Sequence, residues 1–147
     1  MLPENANSQP QYTAFIKKVV EQDEVWALEG GEGLAISSSS NNEEQDVIPF
    51  WSSEELAGAV AADDWADFKP VPMSLAEFLE NWLTVMHNDE MLVGMDWDAA
   101  LTGRESEPME LALDLAKEAV AMGKAPELSN YKDLEEFIRE VKEATGL

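Results

Sequence analysis

The stretch KPVPMSLAEFLENWLTVMHNDEMLVGMD, residues 69–96, decides the class of this chain. Ser74 and Glu77 have the spacing of a capping box, in which the Ser oxygen and the Glu carboxylate each satisfy an orphan backbone N–H. Leu75, Phe78, Leu79, Trp82, Leu83 and Met86 then hold a 3.6-residue period for three turns, which is one apolar helix face. Lys69–Met73 reads as a strand before this helix, and Glu90–Asp96, centred on Met91-Leu92-Val93, as a strand after it. Strands interleaved with one-sided helices predict an α+β fold: a small, mostly antiparallel sheet packed by amphipathic helices.

Upstream, Pro10 suits a first helical turn, and Tyr12, Phe15, Ile16, Val19 and Val20 follow as one apolar face. Val25–Leu28 and Leu34–Ile36 flank Gly30-Gly31-Glu32-Gly33 and predict a hairpin. Ser37–Gln45 is polar throughout and reads as an exposed loop before a strand at Val47–Phe50, where Pro49 predicts a sheet edge or a strand end. Ser52 and Glu55 repeat the capping-box spacing and predict a short helix through Leu56 and Val60. After Thr102 come two helical stretches, about 109–122 and 131–144, broken by Gly123 and Pro126. They predict a C-terminal helical hairpin that folds back on the body or onto a partner, its Tyr131, Phe137, Ile138 face being a candidate homodimer surface. The division expected is a flexible segment over 1–9, an α+β domain over 10–104 and a helical extension over 105–147.

The 147 residues carry 31 acids against 9 Lys and Arg, a net charge of −22, and no cysteine. The missing thiols exclude disulfides, a Cys nucleophile and Cys-based metal clusters. The charge argues against nucleic-acid phosphates and anionic membranes as partners. Met1–Gln9 has neither the basic nor the apolar region of a secretory signal, and no run of residues is long and apolar enough for a membrane span, so a cytoplasmic location is expected. Between Lys18 and Lys69 there are 13 acids and no base, a field that would steer a basic protein partner. Within that stretch Trp51, Glu54, Glu55, Asp63, Asp64, Trp65 and Phe68 are the candidate partner-binding residues, the acids for steering and the aromatics as anchors. Acidity of this degree is also what a saline habitat or a plain solvated surface produces.

The other candidates for chemistry are sparse. His87 is the single histidine, placed where its charge would meet the last carbonyls of the central helix, and it supports neither a zinc site nor a triad. Glu90, Asp96 and Asp98 are the carboxylates an enzyme dependent on a divalent ion would use, though they lack the spacing of a calcium loop. Gly30–Gly33 leads into a strand, without the helix and the Lys-Ser/Thr of a phosphate loop. The residues thus name no catalytic group and no cofactor, and they favour a non-enzymatic interaction module.

Val47-Ile48-Pro49-Phe50-Trp51, Glu54-Glu55-Leu56, Trp65-x-x-Phe68-Lys69-Pro70 and Met73-Ser74-Leu75-x-x-Phe78-Leu79-x-x-Trp82-Leu83 occur in an order that resembles a bacterial family, domain of unknown function 2750. Phe15-Ile16-x-x-Val19-Val20 and Glu24–Leu28 fit as well, so the resemblance runs from about Gln11 to Asp98. It implies a small cytoplasmic bacterial domain and brings with it no activity, cofactor or catalytic residue. A weaker similarity, over the run from the Trp51 strand to Val93, is to the N-terminal domain of enhanced-serine-sensitivity proteins, an α+β association module.

Overall fold

A computed structural model describes residues 4–31, 33–38, 45–61, 65–97 and 104–146. In chain order these form α1 (Glu4–Gln22), β1 (Val25–Gly30), β2 (Gly33–Leu34), β3 (Ser37–Ser38), β4 (Asp46–Phe50), α2 (Glu54–Val60) and β5 (Lys69–Met73). A continuous helix α3 follows, made of Leu75–Glu77, a wide π turn over Phe78–Trp82, and Leu83–Asn88. β6 (Leu92–Met95), β7 (Arg104–Ser106), α4 (Pro108–Met122) and α5 (Leu134–Thr145) complete the chain. The class is α+β, as the residues predict.

The strands form two sheets. One is antiparallel with order β2-β1-β5; the other has order β3-β4-β6-β7, in which β4 and β6 run parallel and the other pairs antiparallel. Among the described residues a single bridge joins them, Trp26 and Trp51 exchanging N–H to carbonyl bonds of 2.8 and 2.7 Å. α1, α3, α4 and α5 cover one side with a core built around Phe15, Phe50, Phe78, Leu111, Leu115 and Phe137. α2 closes a second, smaller core around Leu28, Val47, Trp51, Ala57 and Trp97.

Two prolines explain how β5 forms a clean edge. Trp26 and Leu28 direct their backbone groups toward Trp51 and Ala35, so Val25, Ala27 and Glu29 are the β1 residues bonded to β5. Pro72 and Pro70 lie opposite Trp26 and Leu28, and their missing N–H groups therefore fall on the outer edge, where another strand would otherwise pair.

Several local expectations are revised. α1 begins at Glu4, so Pro10 lies inside the helix and forfeits a bond to the carbonyl four residues earlier. Ser37 and Ser38 pair with Val47 and Asp46 as β3 instead of lying in a loop, while 39–44 fall outside the described residues. β4 is interior, between β3 and β6. Pro49 fits because its amide side faces away from β6, between Val47, paired with Ser37, and Trp51, paired with Trp26; Ala35 there donates to Leu28 instead. The cap of α2 is Ser53, whose oxygen accepts from Leu56 N–H at 3.2 Å, and not Ser52. Ser74 caps α3 as predicted, accepting from Glu77 N–H at 3.2 Å.

The C-terminal helices pack on their own chain. β7 pairs with β6, and α4 lies against α1 and α3 with Leu111 and Leu115 fully buried. α5 docks on α4 through Leu134, Phe137 and Val141, and Tyr131 stacks edge-on to Phe137 at 5.1 Å. Phe137 is thus buried, with Tyr131 and Ile138 half-buried beside it. Among the described residues no helix is long and apolar enough to cross a membrane.

Candidate functional site

Two places gather polar groups in ways that secondary structure alone does not require. The first lies where the parallel strands β4 and β6 end side by side. Asp96 follows β6 with φ at +49°, a left-handed conformation that costs a non-glycine residue energy unless its surroundings enforce it. Here they do: its N–H donates to the Phe50 carbonyl at 2.9 Å, and its carboxylate accepts from Ser52 N–H at 2.8 Å and from Ser52 Oγ at 3.1 and 3.0 Å. Gln22 Nε2 donates to the Ser52 carbonyl from the end of α1. Burial pushes the Asp96 carboxyl above its ordinary value, and the Ser52 donors and the charge of Lys18 only partly offset this.

Beside this knot lie the tryptophans. Trp51 is completely buried and its indole N–H donates to the Trp97 carbonyl at 2.9 Å. The Trp97 indole packs against Gly94 of β6, where any Cβ would come within 2.6 Å of its ring, so Gly94 is what admits it. Trp65 and Phe68 are half-buried, with ring centroids 6.2 Å apart, and Phe68 covers Gly30. Trp51 therefore belongs to the second core, while Trp65 and Phe68 remain on its rim. Glu54 and Glu55 stand exposed on the first turn of α2, where the helix dipole favours acids whatever else they do. Asp63 and Asp64 lie outside the described residues.

The second place is an open groove of about 860 Å³ lined by Gln45, Asp46, His87, Asn88, Asp89, Glu90, Met91 and Glu107. Three elements supply its acids: the start of β4, the end of α3 and the start of α4. None of these lining residues is Lys or Arg. The end of α3 is closed by backbone bonds, Glu90 N–H donating to the His87 carbonyl at 3.1 Å and Met91 N–H to the Met86 carbonyl at 2.8 Å, with His87 exposed in its last turn. That closure requires Glu90 at φ +58°, a position glycine or asparagine fills at less cost. Gln45 Nε2 ties the same turn to β4 by donating to the Glu90 carbonyl at 2.9 Å.

The three carboxylates singled out for a metal ion are not gathered. Glu90 and Asp96 stand at opposite ends of β6, four residues spanning about 13 Å at strand spacing, and Asp98 lies outside the described residues. Among the described residues no group of three or more His, Asp or Glu side chains is close enough to hold a metal. The groove itself escapes sequence reasoning, since Asp46, Asp89 and Glu107 are spread from position 46 to position 107 and only the folded arrangement of β4, α3 and α4 brings them together.

No curated protein and no solved structure matches the chain. A family model, described as protein of unknown function (DUF2750), matches residues 12–115, which take in every strand of both sheets and the first half of α4. That is the greater part of the molecule, and the chain belongs to this family of proteins of unknown function.

Proposed function

We propose that this protein is a non-enzymatic interaction module whose acidic surface receives a basic protein partner. The observation that supports the reading is the groove at the end of α3, where Asp46, Asp89, Glu90 and Glu107 face open solvent around His87 with no Lys or Arg among the lining residues. Spread over about 860 Å³, these carboxylates suit an extended chain bearing several Lys or Arg side chains better than one compact ion. At the other end of β4, Glu54 and Glu55 stand exposed on α2 with Trp65 and Phe68 half-buried, a second acidic and aromatic surface that the same partner class could use.

The test is affinity capture from cytoplasmic extract at about 0.05 M and about 0.5 M salt, with bound proteins identified by mass spectrometry. Basic proteins held at low salt, released at high salt and absent from an Asp46→Lys, Glu90→Lys, Glu107→Lys variant are expected. Loss in a Glu54→Lys, Glu55→Lys variant instead would move the surface to α2. Retention of the same proteins at both ionic strengths would overturn the electrostatic reading.

A further inference from the structure

Glu80 is a buried carboxylate on the central helix. Only 9% of its surface is exposed, although it belongs to a helix whose apolar stripe already accounts for the buried side. Glu80 lies inside the π turn over Phe78–Trp82, buried along with Phe78 and Leu79, and Leu83 N–H reaches back to the Phe78 carbonyl across that turn. Thr84 Oγ1 donates to the Leu79 carbonyl at 3.2 Å, five residues back, and helps satisfy the widened ladder.

Glu80 uses this position to hold a distant segment. Its Oε1 accepts from Asn130 N–H at 2.7 Å, a charge-assisted bond across 50 residues of sequence. Asn130 lies in the connection between α4 and α5, four residues before α5 starts. Otherwise α5 is held chiefly by apolar contact, through Leu134, Phe137 and Val141. Burial raises the Tyr131 hydroxyl above its ordinary value, and the charges of Glu140, Glu80 and Glu136 add to this. The Asn130 bond is thus a polar tie on the segment that leads into α5.

We propose that Glu80 is a latch that keeps α5 docked on its own chain, and that opening it lets α5 exchange with that of a second copy. The occupant is argued from the chain itself. The connection 123–133 has no helix or strand, and 11 residues reach up to about 38 Å when extended, enough to carry α5 to a neighbouring molecule. The apolar face of α5 must stay covered, and the surface of α4 in an identical copy is a complement already shaped for it. The acidic groove is made of other residues, and this proposal does not rest on it.

The experiment compares the wild-type chain with Glu80→Leu, Asn130→Pro and Glu80→Gln, using amide hydrogen exchange of α5 and the mass measured by light scattering over a hundredfold range of concentration. Glu80→Leu removes the acceptor and Asn130→Pro removes the donor without touching α3. Both are expected to exchange α5 amides about tenfold faster when dilute and to form a dimer that regains protection when concentrated. Glu80→Gln keeps an acceptor and is expected to behave as wild type, a monomer with protected α5. Protection unchanged in Asn130→Pro overturns the latch, and that variant decides the matter should Glu80→Leu not fold. Faster exchange with no dimer at any concentration overturns the exchange between copies.

Discussion

Asp96 concentrates three demands in one residue: a left-handed backbone, a half-buried carboxylate and a hydrogen-bond partner, Ser52, that is itself 2% exposed. Its folded-state pKa lies above the ordinary 3.8 because burial penalises the charged form. The folded protein therefore holds this proton more tightly than the unfolded chain, and the stabilisation this gives is complete below the unfolded pKa and lost as pH rises through the folded one. Asparagine tolerates the left-handed conformation, still accepts from Ser52 N–H and has no charge to desolvate. Asp96→Asn is expected to gain stability relative to wild type as pH climbs from about 4 to about 7, measured by urea unfolding of both proteins across that range. Parallel pH profiles would mean that burial does not govern this carboxylate. As a metal-site candidate Asp96 was legible as an acid beside a strand end; its real setting depends on Ser52, 44 residues away, and no local pattern announces that pairing.

Among the elements, those legible in the sequence are the ones whose causes are local. The helix after Ser74 follows from its cap and its apolar period, the Gly30–Gly33 hairpin from its glycines, and the C-terminal stop of α4 from Gly123 at φ +68°. Where a distant group intervenes, the reading slips. α1 and α3 end in the same left-handed turn as α4 but with Asp23 and Glu90 in it, so no glycine marks them. The π turn is invisible because the apolar period is satisfied on both sides of it. At Ser52-Ser53 only Ser52 has a carboxylate three residues on, Glu55, yet Ser53 is the cap, because Asp96 takes Ser52 for itself. Ser53→Ala is therefore expected to cost about 1 kcal/mol and to speed amide exchange at Leu56. Ser52→Ala should instead cost about 1–3 kcal/mol by leaving the Asp96 carboxylate short of a donor, with Leu56 still protected. Faster exchange at Leu56 in Ser52→Ala than in Ser53→Ala would return the cap to Ser52.

For the molecule as a whole, a charge of −22 on 147 residues acts on stability and on binding with opposite signs. Folding draws the acids together, and their repulsion opposes the compact state until salt screens it. The screening length is about 10 Å at 0.1 M and about 3 Å at 1 M, which spans the spacing of neighbouring surface charges. The thermal midpoint in sodium chloride is accordingly expected to rise between about 0.01 M and about 1 M, by about 2–4 °C for each kcal/mol of repulsion removed. Capture of a basic partner should weaken over the same range, since that attraction is screened by the same ions. The two measurements together separate the causes of acidity. A midpoint that rises while capture falls describes free carboxylates available to a partner. A midpoint that does not move would mean that the acids are already compensated within the fold, and the groove at the end of α3 would then carry too weak a field to select a basic chain.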